Sequence, residues 1–371
     1  MNRGGRAAPE RKARTGPRGW GEGYRAGWLE GRRIGACGII SRLTGFEAPV
    51  MDVRVFYVRT GLWSYEPLDT GIIDALRLLV REVFVLVPTD DAVALAKRHR
   101  PDLVLSLNSV ECFGLGQVDA LREMGILTAA WFTDDPYYFD VTKHMALRYD
   151  YVFTLEESCV PLYRELGCPY AFHMPLGANT ALYAPKRRDA APGPDIVFIG
   201  SAFRERIDFF DRIASYLRGK SVFIAGYWWE RMSSYSMLEG KIRSGYWAPP
   251  HETAALYNKA KIVINLHRAI DDETNRNTGL VPAFSVNPRS FEIGACAAFQ
   301  LTDMRQGTSS FFTPGQEIAT YGSPEELIGK AEHYLRHEEE RSAIALQGYR
   351  RTMAEHTYPR RVRQLLERVF P

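Results

Sequence analysis

The stretch Asn287-Pro-Arg-Ser-Phe-Glu292-Ile-Gly-Ala-Cys-Ala-Ala-Phe-Gln-Leu301 decides how this chain is read. It puts a carboxylate, Glu292, on the first turn of a short helix that runs into the start of an apolar strand. Gly294, Ala295, Ala297 and Ala298 let that helix pack close to its neighbours. Just upstream, Lys261-Ile-Val-Ile-Asn-Leu-His267 reads as a buried strand that ends in the polar residues Asn265 and His267. Helices that open at the carboxyl end of a strand are where α/β proteins hold nucleotides. An ionised carboxylate offers two acceptor oxygens, enough for both hydroxyls of a ribose. The alternative is a buried Glu292 paired with Arg289.

Working outward, strands alternate with helices on both sides of this stretch. Residues 53–58, 83–87, 103–107, 127–132, 151–155 and 170–174 read as strands, with helices over 69–79, 92–100, 118–124 and 159–166 between them. Residues 184–194, rich in Pro, Ala and charge, read as a linker. A second series follows, with strands at 196–200, 221–225, 262–266 and 299–302 and helices over 207–216, 253–259, 289–297, 324–336, 338–355 and 358–369. Such alternation predicts parallel, doubly wound sheets. The expected division is a basic arm over 1–50, a Rossmann-like domain over 51–183, the linker 184–194, a second Rossmann-like domain over 195–356 and a closing helix over 357–371. Two such domains enclose a cleft, where ligands bind.

The chain has 371 residues, 46% hydrophobic and 25% charged, which suits a two-domain globular protein. Its net charge of +3 argues against nucleic acid. Residues 1–50 hold ten Lys/Arg against four Asp/Glu, so the basic character is local to the arm. Within that arm Gly19, Gly23, Gly27, Gly31 and Gly35 recur every fourth residue, with Trp20, Tyr24 and Trp28 beside them. Glycine costs about 1 kcal/mol per residue in a helix, which favours a flexible adhesive arm. The other reading is a helix that docks on a partner or a second copy through its glycine face. The five cysteines, Cys37, Cys112, Cys159, Cys168 and Cys296, are odd in number and show no CxxC spacing, so reduced thiols and no zinc are expected. The N-terminus lacks the continuous apolar run of a secretory signal, and no segment approaches the ~20 apolar residues of a membrane span.

Several segments together resemble one family. Arg100-Pro-Asp-Leu-Val-Leu105, Trp131-Phe-Thr-Asp-Asp-Pro-Tyr137, Tyr149-Asp-Tyr-Val-Phe-Thr-Leu-Glu156 and Pro175-Leu-Gly-Ala-Asn179 are followed in order by Phe198-Ile-Gly-Ser201, the 287–301 stretch and His356-Thr-Tyr358. In this order they resemble the CgeB-like spore maturation proteins, a glycosyltransferase-like family of spore-forming bacteria, over residues 52–370. The resemblance implies a GT-B fold, two Rossmann-like doubly wound domains facing each other across a cleft, with the acceptor on the first domain and a nucleotide sugar on the second. It implies that the final helix crosses back to the first domain. It also implies a glycan or glycoprotein acceptor, spore-coat contact through residues 19–35, and a location on the mother-cell side of the cytoplasm or in the outer spore layers.

On that resemblance Glu292 matches the ribose-binding Glu of retaining GT-B enzymes. Those enzymes carry a partner Glu further upstream, where this chain has Phe284, so the paired-carboxylate pattern is absent. Gly200, Ser201, Arg204 and Arg206 fit a cradle for the donor phosphates, the alternative being a solvated basic loop. Arg289, near Asn287, either binds phosphate or pairs with Glu292. Tyr227, in Gly226-Tyr-Trp-Trp229, either stacks on a base or sugar or belongs to the core. Asn265 and His267 precede a long polar loop, residues 269–285, that is expected to close over a bound sugar. Asp134 and Glu156 end strands on the first domain, with Asp134 as an acceptor-side base or, alternatively, a helix cap before Pro136. No metal and no tightly bound cofactor are expected, a UDP-sugar being the favoured donor. The rivals are a catalytically degenerate scaffold with a structural role in the outer spore layers and a nucleotide enzyme of another class. The second is disfavoured because no glycine-rich dinucleotide fingerprint follows the first strand.

Overall fold

A computed structural model of the chain describes residues 17–108, 113–188 and 192–371. Cys112 and residues 1–16 of the arm lie outside the described residues. The described residues open with α1 (Pro17–Leu43) and then build a first sheet from β1 (Met51–Val58), β2 (Val80–Leu86), β3 (Leu103–Leu107), β4 (Leu127–Phe132), β5 (Tyr151–Thr154) and β6 (Ala171–His173). Between the strands run α2 (Glu66–Leu79), α3 (Ala92–His99), α4 (Leu115–Glu123), α5 (Phe139–Ala146) and α6 (Cys159–Glu165). The strand order is β2-β1-β3-β4-β5-β6, and every pairing is parallel. All five residues of β3 are buried, as expected for a strand covered by helices on both faces.

The second sheet comprises β7 (Ile196–Ile199), β8 (Val222–Gly226), β9 (Ile242–Ser244), β10 (Ile262–Asn265), β11 (Gln300–Asp303) and β12 (Ala319–Tyr321). Its helices are α7 (Arg204–Arg218), α8 (Tyr235–Leu238), α9 (Pro250–Lys259), α10 (Arg289–Ala295), α11 (Thr308–Phe311), α12 (Pro324–Arg336) and α13 (Glu338–Glu355). The order β12-β11-β10-β7-β8-β9 is again all parallel. Strands β9 and β12 were not expected from the sequence. Each has three residues at a sheet edge, too short to show a period. In this sheet the direction of winding reverses between β7 and β10, and the crevice at such a switch point is where open α/β sheets bind ligands.

The last helix, α14 (Tyr358–Val369), leaves the second unit and packs on α2 of the first. Its apolar side, Tyr358, Val362, Leu365, Leu366 and Val369, joins Val55, Tyr57, Ile72 and Leu76 in one buried cluster. The two helices cross closely enough that a Cβ on Gly71 would lie 2.4 Å from Tyr358 Cδ2. At the crossing, His356 is buried. Its Nε2 bonds Phe311 O at 2.9 Å and its Nδ1 accepts from Arg361 at 2.7 Å. Burial, with Arg361 beside it, pushes this imidazole down to about 3.

The arm expected to be flexible is instead helical from Pro17 to Leu43. It docks on α13 of its own chain, not through its glycines. Arg33 donates to Glu30 and to Lys186 O, Ser41 bonds the Tyr349 hydroxyl at 2.6 Å, and Cys37 packs with Ala297 and Tyr349. A Cβ built on Gly23, Gly27, Gly31 or Gly35 would meet nothing within 4 Å, and Trp20, Tyr24 and Trp28 are exposed. Tertiary contact of its second half, apolar through Cys37 and Ile40 and polar through Arg33 and Ser41, outweighs the glycine cost.

Candidate active site

The carboxyl ends of β7 and β10 meet at the switch point, and the segments that follow them build the site. After β7 the chain turns at Gly200-Ser201. The Gly200 carbonyl accepts from Trp229 Nε1 at 2.9 Å, and a Cβ on Gly226 would lie 2.1 Å from that same oxygen. Only glycine at 226, with φ of +148°, permits this approach. Tyr227 borders the turn through its backbone, its carbonyl accepting from Ala202 N at 2.8 Å, while Trp229 belongs to the core.

Two guanidinium groups converge on Gly200. A Cβ there would lie 3.1 Å from Arg206 Nη1 and 3.3 Å from Arg289 Nη2. Arg206 is 5% exposed and donates to Ser201 O and twice to Leu266 O. Its guanidinium also lies over the rings of Phe198 and Phe203. Burial, with Arg289 close by, lowers it to about 9. Among the described residues no carboxylate forms an ion pair with Arg206 or with Arg289. Burying a cation costs several kcal/mol, which three carbonyl bonds and two rings offset only in part. The site therefore concentrates two guanidinium groups that no carboxylate touches directly, Asp303 and Glu292 acting on them only from a distance.

Arg289 and Glu292 lie one turn apart on α10. No hydrogen bond or ion-pair contact joins them, so the paired reading of the sequence does not hold. Arg289 is held instead through Asn265, whose Oδ1 accepts from it at 3.3 Å. Asn265 and Asn287 exchange two amide hydrogen bonds of 3.0 and 2.9 Å, which fix the start of α10. The Glu292 carboxylate has no hydrogen-bond partner among the described residues. Tyr183, Tyr257, Cys296 and Tyr358 flank it, and its charge opposes their ionisation. The residue as a whole is only half-buried, yet burial is the largest influence on its acid group, pushing it up to about 7 against the pull of Arg289.

The remaining sequence candidates fall into other roles. His267 is buried, with both ring nitrogens engaged. Nε2 accepts from Asn287 N at 3.0 Å, so Nδ1 carries the proton and donates to Asp303 at 2.6 Å. Burial keeps this imidazole below its usual range, and it serves as a neutral strut under α10. Arg204 is exposed and ion-paired with Asp271, and its backbone N–H donates to Asp272. The structure therefore does not bring Arg204 into the cradle, and a protein carboxylate already caps the N-terminus of α7. Asp303 and Arg305, which support the site from the end of β11, were missed. An acid directly after an apolar strand was the signal available.

Across the cleft, Asp134 is half-buried and accepts from the Tyr65 hydroxyl and Asn108 Nδ2, each at 2.5 Å. Glu156 is 1% exposed. Its Oε1 accepts from Phe284 N and Ser158 N at 3.0 and 3.1 Å, and its Oε2 accepts from Ser285 N at 3.0 Å. It is a latch that holds the second unit's loop rather than a free carboxylate. The same loop, residues 268–285, is fastened along its length: Arg276 N donates to Tyr137 O, Thr278 N to Asp140, and the Tyr137 hydroxyl to Arg268 O. Its Val281 enters the core of the first unit. The next acid, Asp135, is wholly buried and accepts from Thr142, Thr154 and Tyr163, each at 2.7 Å.

Two six-stranded parallel sheets facing across a cleft and joined by a returning helix constitute the GT-B fold. The chain aligns with the catalytic domain of starch synthase IV from Arabidopsis thaliana (TM-score 0.61, 8% identity, 86% of this chain and 99% of that one). It aligns equally with Anabaena HepE in complex with UDP-glucose (TM-score 0.58, 9% identity, 86% and 99%) and with sucrose-phosphate synthase from Thermosynechococcus elongatus (TM-score 0.57, 10% identity, 86% and 99%). A family model described as "Glycosyl transferase-like" matches residues 204–367. Spore protein CgeB of Bacillus subtilis (strain 168) is 28% identical over 239 residues, 64% of this chain and 74% of that protein. The chain is thus similar to CgeB and, over its second unit, to glycosyl transferase-like proteins.

Proposed function

We propose that this protein transfers a glycosyl group from a nucleoside-diphosphate sugar, with UDP-sugars the favoured donors, to a glycan or glycoprotein of the spore surface or cell envelope. The observation that carries this reading is the convergence of Arg206 and Arg289 on Gly200, one helical turn from the unpartnered carboxylate of Glu292. Two guanidinium groups without a counter-carboxylate suit a diphosphate. A carboxylate without a partner suits the ribose diol of the same nucleotide. The HepE structures with UDP-glucose and with UDP and glucose support a UDP donor.

In the transfer, the bond between the sugar's anomeric carbon and the β-phosphate oxygen breaks, and the acceptor hydroxyl oxygen bonds that carbon. Arg206 and Arg289 meet the charge that develops on the leaving diphosphate. Asp134, at the acceptor side and tied to Tyr65 and Asn108, is placed to take the hydroxyl proton. Glu156 is not assigned to chemistry, since both its oxygens hold the loop.

The test is calorimetric titration of UDP-, GDP-, ADP-, CMP- and dTDP-sugars. One of them is expected to bind the wild type, and Glu292→Ala is expected to lose that binding with an unchanged melting temperature. Equal affinity in the variant would remove the ribose assignment. Absence of binding for every donor would leave the structural-scaffold alternative.

A further inference from the structure

The cysteines lack zinc-ligand spacing, but the chain also carries His333-x-x-x-His337-x-x-Glu340. His333 lies in the last turn of α12, His337 joins α12 to α13, and Glu340 lies in the first turn of α13. One ligand atom from each, an imidazole nitrogen or a carboxylate oxygen, lies within 4.8 Å of the other two. The two imidazole rings stand 4.1 Å apart at an interplanar angle of 20°. His333 Nε2 is 2.6 Å from Glu340 Oε2, and His337 Nδ1 is 2.7 Å from the carbonyl of His333. That second contact engages Nδ1 as the donor and leaves the His337 Nε2 lone pair for a ligand. The basic residues nearest in sequence are paired elsewhere, Arg336 with Glu332 and Arg341 with Glu338.

We propose that His333, His337 and Glu340 bind a borderline divalent transition metal, zinc being the reference case. Two imidazoles and one carboxylate, with water in a fourth position, make a tetrahedral set for zinc, and imidazole donors disfavour magnesium and calcium. Bonds of about 2.1 Å to one ion separate tetrahedral ligand atoms by about 3.4 Å, so Glu340 moves slightly away from His333 and the His337 ring turns toward the ion. All three side chains are exposed, which keeps both adjustments small. The ion ties the end of α12 to the start of α13, the helix against which α1 and α10 pack. The site lies outside the donor cleft and does not depend on the proposed glycosyl transfer.

The experiment uses tag-free, full-length protein stripped of metal with a chelator. Zinc chloride is titrated by calorimetry, and the melting temperature is followed against zinc concentration. One saturable equivalent is expected, with a melting temperature that rises with zinc as binding to the native state requires. The His333→Ala/His337→Ala double variant is expected to lose both effects, and Glu340→Gln to weaken them. Both variants should melt like the wild type in the absence of metal, since the residues are exposed. No saturable binding by the wild type would overturn the proposal. So would zinc binding retained in the double variant, which would place the ion on other residues, or an equal shift with magnesium.

Discussion

At the scale of single residues, the site is an arrangement of charges left without partners. Arg206 illustrates the trade. A buried guanidinium held by carbonyls and two aromatic rings, with no carboxylate in contact, adds little to the fold, so Arg206→Met is expected to leave the melting temperature unchanged or raised. On the proposed function the same substitution would remove a charge-assisted bond to the donor phosphate worth about 1.5–3 kcal/mol, so affinity for the donor sugar should fall by about tenfold to a hundredfold. A lower melting temperature with unchanged donor affinity would show Arg206 to be structural. On the proposed ribose contact, Glu292 sets the pH dependence of donor binding. Its carboxyl is pushed up to about 7, and only the ionised form accepts both ribose hydroxyls. Donor affinity is therefore expected to weaken as pH falls through about 7 and to level off above it, and titration of UDP-glucose between pH 6 and pH 8.5 checks this. The diphosphate of a nucleotide sugar does not itself titrate in that range. A flat profile would mean that the carboxylate does not touch the ligand.

At the scale of elements, the loop of residues 269–285 was expected to close over a bound sugar. In the structure it is a clasp between the two units. Glu156 receives its backbone at Phe284 and Ser285, and Val281 fills a place in the core of the first unit. The position where a second family carboxylate was expected, Phe284, thus contributes its amide to a carboxylate from the opposite unit. Glu156→Ala leaves three N–H groups without their acceptor, that of Ser285 buried and those of Phe284 and Ser158 partly so, each costing about 1–3 kcal/mol where water cannot replace it. The melting temperature should fall and proteolysis within 268–285 should accelerate. A catalytic Glu156 would instead lose turnover at unchanged stability, so the two readouts separate the roles.

At the scale of the whole molecule, α14 returns to the first unit, and its core contacts tie the two units together. His356 sits at that return, buried and neutral, and is pushed down to about 3 from the ordinary imidazole value of about 6.5. The unfolded chain therefore takes up a proton at pH values where the folded chain does not. Stability from this group is fully present above about pH 6.5 and is lost progressively as pH falls toward about 3, by up to a few kcal/mol. His356→Asn, which cannot titrate, should be less stable at neutral pH but should flatten the decline between pH 6.5 and pH 4 followed by thermal melting.

The sequence by itself determined the parallel α/β architecture. Strands buried on both faces, such as Leu103–Leu107, must be continuously apolar, and that pattern is local. It also placed the Gly200-Ser201 turn at a strand end, because a strand must stop before a binding turn begins, and Arg289 and Glu292 on the first turn of a short helix. Only the tertiary structure decided what each polar group meets. Arg206 and Arg204 are two residues apart, yet one faces Gly200 from a buried position and the other pairs with Asp271 at the surface. Glu156 and Asp134 both follow strands of the same sheet, yet Glu156 is engaged by a loop more than a hundred residues away. The glycine-rich arm became a helix because its second half found α13 of its own chain. Periodicity records which side of an element is apolar, whereas partners distant in sequence come together only when the chain closes on itself.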